Sequence, residues 1–391
     1  MKRPGDHPLH TLLLLTERPG RWAAWQIAPL SPLVAAAAGW GWAQATHRPV
    51  LGWAVALGLM ALSLADWALL ASLPRRGLSF GPVQPPWLGL VLFRGLMALL
   101  AAAVAGHGPL PALIGLALFQ AGAGGLLAYG ALVEPFRLQV SRVEISDDRF
   151  ANPGTPLRIV QLADLHVERL TRREHALPAL IAGLSPDLIL LTGDYLNTSY
   201  NADPHALADL QRLLAQIRAP GGVYAVWGTA EVDLPELLRP LFAELGITLL
   251  EDRAAEVVIG DHHLWLVGLS CTRDLAAAGQ RLRTLLAGVP SEAFTLLLYH
   301  TPDLMPQAAS LGVDLYLAGH THGGQWRLPG FGAILTSSRY WKRYEAGHYQ
   351  QNRTHLYVSR GLGMEGFGAP RLRLFCPPEV VLIEVRGTEG P

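Results

Sequence analysis

The chain has 391 residues, half of them apolar and only 16% charged, with 31 basic residues balanced by 31 acidic ones. Such a composition is too apolar for a disordered chain, and the 41 glycines follow no collagen period. Two cysteines, Cys271 and Cys376, are too few for a disulfide scaffold or a zinc ribbon, and a zero net charge speaks against a nucleic-acid binder relying on a global positive field.

The balance hides two unlike parts. Residues 1–135 carry eight basic and four acidic residues, whereas 136–391 carry 23 and 27. Between Trp22 and Val133 the only charges are Arg48, Asp66, Arg75, Arg76 and Arg94, too few to keep a soluble domain wet. Four apolar runs, Ala28–Ala45, Gly52–Leu73, Trp87–Gly106 and Leu110–Leu132, each come near the about 20 residues that cross a bilayer. Trp22, Trp25, Trp40, Trp42, Trp53 and Trp87 sit near run ends, where an amphipathic ring prefers the headgroup level. Residues 1–135 are therefore expected to form a membrane anchor of about four helices. Residues 1–21 hold only Leu12–Leu15 as an apolar stretch, a poor fit to a cleaved signal peptide.

Basic residues orient this anchor. Lys2, Arg3, Arg18 and Arg21 precede the first run, Arg75 and Arg76 follow the second, and Arg137 and Arg142 follow the fourth, while the opposite side has Arg48 alone. Positive-inside logic predicts a multi-pass protein with its C-terminal part in the cytoplasm. Asp66 lies seven residues before the end of the second run and Arg94 seven after the start of the third. Both are then about 10 Å below the same face and within reach of each other. A transport path needs more polar groups than these two, so they read as a structural pair.

From Phe136 on, β-rich runs alternate with helical segments. Leu157–Leu162, Asp187–Thr192, Val223–Trp227, Leu264–Gly268, Phe294–Tyr299, Asp314–Leu317, Thr354–Val358 and Val380–Val385 read as strands, with helical spacing over Arg172–Gly183 and His205–Ile217. Four of these strands lead into Asp or His: Asp164-Leu165-His166, Gly193-Asp194, His300, and Gly319-His320-Thr321-His322. In open α/β sheets ligands bind beyond the carboxyl ends of the strands, so these side chains are expected to converge. Six Asp and His ligands without cysteine suit two divalent ions such as Mn, Fe or Zn. Two such ions that share a carboxylate activate water and clamp a phosphoryl group for in-line attack.

With these motifs the sequence resembles the calcineurin-like metallophosphoesterases, marked by D-x-H, G-D, G-N-H-D/E, H and G-H-x-H. More narrowly, Gly319–Ala333 and Tyr357–Val385 are similar to the bacterial membrane-associated branch with transmembrane helices ahead of the enzyme domain. The resemblance covers residues 136–391 and implies an α/β (α+β) fold, a four-layer αββα sandwich with metals at one end. It implies a first metal site of Asp164, His166, Asp194 and His322, and a second of Asp194, His300, His320 and an asparagine. That asparagine is absent: the chain reads Gly228-Thr229-Ala230-Glu231, with Thr229 in the ligand's place as a weak substitute and Ala230 where the family keeps its catalytic histidine. The resemblance thus names no catalytic side chain.

The function implied is hydrolysis of a phosphate ester or pyrophosphate, with a membrane and a lipid-linked or nucleotide-sugar phosphate as partners and no nucleic acid. Relatives in the wider family cleave a diacylated UDP-glucosamine in lipid A assembly, which makes UDP-diacylglucosamine an expected substrate. The rival is a catalytically weakened or inactive metal-binding membrane protein.

Among secondary motifs, Gly361-Leu362-Gly363-Met364-Glu365-Gly366 spells a dinucleotide fingerprint, but Pro370, Pro377 and Pro378 deny it the helix it must open. His262-His263 after Gly260-Asp261 read as a hairpin turn. Arg339-Tyr340-Trp341-Lys342-Arg343-Tyr344 reads equally as a solvated loop or a membrane-facing one. Arg371 and Arg373 are read as lining an exposed edge strand, with a substrate-phosphate role as the alternative.

Overall fold

A computed structural model describes residues 22–150, 155–366 and 370–388. The tail bearing Lys2, Arg3, Arg18 and Arg21 lies outside the described residues. The chain divides into two compact units, one of residues 1–133 with 366–371 and one of residues 134–365 with 372–391.

In the first unit a one-turn helix at Ala24–Ile27 precedes four long ones: α1 (Leu30–Thr46), α2 (Pro49–Ser72), α3 (Gln84–Ala105) and α4 (Pro109–Leu132). Among the described residues, three helical stretches, Pro49–Ser72, Gln84–Ala105 and Pro109–Phe136, are long and apolar enough to cross a membrane. The run Ala28–Ala45, expected as a further span, forms α1, which is only 17 residues long and begins after Pro29 at its N-cap. Asp66 and Arg94 do pair. Arg94 donates from Nε to Asp66 Oδ2 (2.6 Å) and from Nη2 to Oδ1 (2.9 Å), forming a two-pronged contact. Its Nη1 donates to Oε1 of Gln120 (2.9 Å), whose own amide returns a bond to the Arg94 carbonyl (3.0 Å). All three side chains are buried, so the pair is a closed structural network joining α2, α3 and α4.

The second unit is built on two six-stranded sheets. The first contains β1 (Gln139–Ser146), β2 (Leu157–Leu162), β3 (Leu188–Leu191), β4 (Val223–Ala225), β5 (Thr248–Leu249) and β14 (Glu379–Arg386), in the order β1-β14-β2-β3-β4-β5. The second contains β6 (Arg253–Ile259), β7 (His262–Gly268), β8 (Phe294–Leu298), β9 (Leu315–Ala318), β12 (Gly347–Gln351) and β13 (Thr354–Val358), in the order β12-β13-β9-β8-β7-β6. A separate hairpin joins β10 (Arg327–Leu328) to β11 (Gly332–Ala333). Strands β2, β3 and β4 run parallel, as do β7, β8, β9 and β13.

Alternation along the strands makes the layers. Leu157, Ile159, Leu188 and Leu190 of the first sheet share a core with Leu264, Leu266, Leu296 and Leu315 of the second. The intervening residues face outward: Val160, Leu162, Ile189 and Leu191 pack under α5 (Arg172–Leu184), α6 (Pro204–Leu214) and α7 (Pro235–Leu245). On the other side Val267, Leu297 and Tyr316 pack under α8 (Leu275–Leu286) and α9 (Met305–Leu311). Helix, sheet, sheet and helix follow in that order, the four-layer αββα sandwich expected from sequence. The helices start where local chemistry allows. Thr171 and Glu174 close a capping box on α5, and Asp203 and Asp274 accept the first free N–H groups of α6 and α8. Gly260-Asp261 forms the two-residue turn between β6 and β7, so His262 belongs to a hairpin.

Candidate metal centre

Each candidate ligand stands where a strand has ended. Asp164 and His166 follow β2, Asp194 follows β3, His300 follows β8, and His320 and His322 follow β9. The backbone pairing continues past the strands and laces the loops together. Asp164 N–H donates to Gly193 O (3.1 Å), His166 N–H to Asp194 O (3.1 Å) and Gly319 N–H to His300 O (2.8 Å). Asp164, His166, Asp194, His320 and His322 all have positive φ, between 41° and 69°. Backbone of this kind is costly for non-glycine residues and survives where surrounding structure imposes it, most often at functional sites. Close approach also demands glycine: a Cβ on Gly228 would lie 2.2 Å from Asp194 Oδ1, and one on Gly319 would lie 2.5 Å from Asp164 Oδ2.

The six side chains fall into two adjoining groups, Asp164 with His166 and His322, and Asp194 with His300 and His320. Within each group the ligand atoms lie within 4.8 Å of one another. Nε2 of His166 is 3.0 Å from Nε2 of His322, and Nε2 of His300 is 3.2 Å from Nδ1 of His320. Asp194 stands between the groups, with Oδ2 3.2 Å from His300 Nε2 and 3.6 Å from His166 Nε2. Ring nitrogens and carboxylates facing one another at these distances are a donor set that could hold a divalent cation.

Electrostatics follow from burial and proximity. Burial pushes the Asp194 carboxyl up, but the charges of His300 and His166 and the His300 hydrogen bond outweigh it and hold Asp194 well below the usual carboxylate range. Burial lowers His300, yet Asp194 and Asp164 raise it to about 10. Asp164, fully enclosed, is pushed up to about 6 by desolvation. Burial and the neighbouring His166 hold His322 well below the usual histidine range. The buried Nδ1 of His322 has no hydrogen-bond partner.

Residues 157–324 match the family model of the calcineurin-like phosphoesterases. The phosphodiesterase YaeI of Escherichia coli is 33% identical over 244 residues, which cover 60% of this chain and 84% of that protein. The chain belongs to the calcineurin-like phosphoesterase family. It is thereby a metallophosphoesterase, from a hydrolase family that works with divalent metal ions. It is also 28% identical over 270 residues to the uncharacterised metallophosphoesterase YkuE of Bacillus subtilis, covering 68% of this chain and 92% of that one. The UDP-2,3-diacylglucosamine pyrophosphatase LpxG of Chlamydia muridarum is 24% identical over 279 residues, covering 58% of this chain and 83% of LpxG.

Against the family pattern, the loop after β4 stands out. Thr229 is in the site: its N–H donates to Asp194 Oδ1 (2.6 Å), and its hydroxyl lies 3.3 Å from Asp194 Oδ2 and 3.4 Å from His300 Nε2. Ala230 has no group to donate a proton. Beside it, Glu231 is exposed and pairs with Arg273 (2.7 Å).

Several buried groups around the candidate site escape sequence reading. Asp233 is buried and accepts N–H bonds from Gly228 (2.7 Å), Asp194 (3.0 Å) and Tyr195 (2.9 Å), so it ties the β3 and β4 loops together. Burial and the Asp194 charge push it up to about 7. Nδ1 of His166 faces the Leu196 carbonyl (3.3 Å) with Glu365, which also takes the Thr198 hydroxyl (2.9 Å), 3.5 Å away, while the Thr192 carbonyl lies 2.8 Å from Nδ1 of His300. Such outer partners turn a histidine's other nitrogen toward a metal. The only sequence signal for Glu365 was the Gly361–Gly366 run, which opens no helix among the described residues; instead its first glycine packs against Asp164, where a Cβ on Gly361 would lie 2.7 Å from the Asp164 Cβ.

Arg373 corrects an expectation. It lines no exposed edge strand: it is completely buried, donating to the carbonyls of Arg360 (2.9 Å), Gly363 (2.6 Å) and Cys376 (3.1 Å). Arg371 is buried as well. Arg373 holds the Gly361–Gly363 loop in shape from below, a role that five planar donors suit and a lysine does not.

Proposed function

We propose that this protein is a membrane-anchored, metal-dependent phosphoesterase or pyrophosphatase acting on a lipid-linked or nucleotide-sugar phosphate, with UDP-diacylglucosamine as the leading substrate. The observation that carries the reading is the convergence of six Asp and His side chains from four strand ends in two adjoining groups around Asp194. In this reading Asp164, His166, Asp194 and His322 hold one divalent ion, and Asp194, His300 and His320 hold a second, with Thr229 as a weak additional ligand. When bound, such a pair of ions supplies an activated water and neutralises phosphoryl charge. The protein's own residues do the rest. Glu365 and the Thr192 carbonyl orient His166 and His300, Asp233 braces the Asp194 loop, and the left-handed backbone aims the ligands. Mn, Fe or Zn suits this donor set.

The departure at Thr229 and Ala230 bears on substrate. Loss of a general acid costs about 10²–10⁴-fold in rate. A leaving group that departs without a proton, such as a nucleoside monophosphate, suffers least. This favours a pyrophosphate bond over an alkyl ester, and the similarity to LpxG points to the same bond. The second reading, a metal-binding protein that does not turn over, draws on the same Ala230.

The test measures metal content and hydrolysis of an activated aryl phosphodiester and of UDP-diacylglucosamine, in wild type, Asp194→Asn and Ala230→His. Wild-type turnover abolished by Asp194→Asn supports the enzyme. An inert wild type that Ala230→His awakens supports the second reading. We further propose four spans with both ends in the cytoplasm, α1 being the fourth. A C-terminal tag cleaved by protease in intact cells would overturn that sidedness.

A further inference from the structure

Immediately after the His322 turn the chain forms the β10–β11 hairpin, whose tip is Leu328-Pro329-Gly330-Phe331. Leu328, Phe331, Ile334, Leu335, Trp341 and Phe375 are between 40% and 59% exposed. Single exposed apolar residues are ordinary, but these belong to one connected piece of structure. The Lys342 ammonium lies over the Phe331 ring at 3.4 Å, the Thr336 hydroxyl donates to the Trp341 carbonyl (3.1 Å), and Arg327 N–H donates to Leu374 O (2.9 Å), next to Phe375.

Two of the aromatics are held in a backbone conformation that bulky residues avoid: φ is 54° at Trp341 and 51° at Phe375. Burial does not explain this, since both rings are exposed. Strained positions of this kind concentrate at surfaces that bind something. Cations are interleaved with the rings. Arg339 and Arg343 are exposed, Lys342 is half-buried, and among the described residues neither Lys342 nor Arg343 makes an ion pair.

The patch is built into the candidate metal centre. The Ser337 hydroxyl donates to the carbonyl of His320 (2.8 Å), the Cys376 thiol to the carbonyl of His322 (3.2 Å), and Arg327 to the carbonyl of Gly323 (3.1 Å). Whatever covers the patch therefore lies beside the phosphoesterase centre.

We propose that this patch docks on a lipid bilayer, with Leu328, Phe331, Leu335 and Trp341 entering the headgroup region and Arg339, Lys342 and Arg343 meeting anionic headgroups. Docking presents the metal centre to phosphates at the membrane surface. Aromatic rings bordered by Lys and Arg are the composition that membrane interfaces select. Among the described residues the same chain carries three stretches long and apolar enough to cross a membrane, the last ending at Phe136 with only Arg137 and Leu138 before β1. A bilayer is the occupant this arrangement fits, and the inference rests on the membrane-anchored reading above.

The experiment uses the full chain in nanodiscs of phosphatidylcholine with a minor fraction of phosphatidylglycerol. Phe331→Cys, in a Cys271→Ser background, carries an environment-sensitive nitrobenzoxadiazole label, and Val258→Cys on β6, also exposed, carries the same label as control. The 331 label is expected to shift to the blue and to be quenched by doxyl-labelled lipid several-fold more than the 258 label. Lys342→Glu and Arg343→Glu are each expected to shift the docked fraction about fivefold toward release. A 331 label quenched no more than the 258 label overturns the proposal. So does a 331 label that stays in water in lipid-only discs but is shielded in native membranes, which identifies a protein partner. A chain that does not enter discs at all removes the anchored reading and the docking with it. A chain that enters discs and hydrolyses the aryl diester while the 331 label stays in water removes the docking alone.

Discussion

The hydroxyl of Thr229 lies 3.4 Å from Nε2 of His300, inside the ligand cluster and at the position where the family carries an asparagine. A threonine hydroxyl is a shorter and weaker donor to a cation than an amide oxygen, so the group of Asp194, His300 and His320 is the weaker of the two proposed sites. Thr229→Asn is expected to raise metal content from about one toward two ions per chain. Elemental analysis after dialysis measures this. A stoichiometry unmoved by the substitution would show that Thr229 does not limit the second site.

Glu365 stands 3.5 Å from Nδ1 of His166. Glu365→Gln keeps the size and removes the charge beside Nδ1 of His166, leaving the Leu196 carbonyl (3.3 Å) in place. Metal affinity is expected to fall about 10–100-fold, as for other outer partners of metal-binding histidines. Competition with a fluorescent chelator reads the affinity directly, and an unchanged dissociation constant would reduce Glu365 to a packing residue.

The Asp66–Arg94 pair predicts an asymmetry. Asp66→Ala leaves a buried guanidinium that, among the described residues, only Gln120 meets, at a cost of about 3–5 kcal/mol. Replacing both residues, Asp66→Leu with Arg94→Met, is expected to recover most of that loss, since a buried ion pair is often no better than apolar packing of similar volume. Thermal unfolding of the full chain in detergent distinguishes the variants. If the double variant is no more stable than Asp66→Ala, the pair does more than hold helices together.

Acid stability has a local contributor outside the metal centre. Burial pushes Asp147 up, but hydrogen bonds and charge from Arg149 outweigh it and hold the folded-state value below the ordinary one, while Arg149 also pairs with Asp314 (2.7 Å). A carboxyl lowered in the folded state stabilises fully above its unfolded value of about 3.9, and that stabilisation is lost as pH falls through the folded value. Wild type is therefore expected to lose stability relative to Asp147→Asn between about pH 4 and lower values, with a constant difference above that window. Denaturant midpoints across pH test it; parallel curves throughout would remove Asp147 as a contributor.

The candidate ligands were legible because their signal is local. Val160 and Leu162, or Tyr316 and Ala318, mark continuous apolar strands by their immediate neighbours, and Asp164, His166, His320 and His322 follow within a few residues. The apolar runs of the first unit were legible for the same reason, although Pro29 shortened α1. What stayed hidden depends on residues far apart in sequence. Strand β14 inserts between β1 and β2, pairing Val143 with Ile383, and nothing in Gln139–Ser146 announces a partner so remote. Arg373 looked like an edge residue because its acceptors are backbone carbonyls, which leave no mark in a sequence.

By itself, the sequence pointed to an apolar helical first part, to the fold class of the second and to the candidate metal ligands, because hydrophobic periodicity and strand-end chemistry are properties of adjacent residues. Only the tertiary structure decided that Asp194 faces both groups, that Asp233 and Glu365 brace them, and that Gln120 completes the Asp66–Arg94 network. Those are contacts between loops and helices brought together by burial of the cores, and the free energy that selects them belongs to the whole fold rather than to any segment.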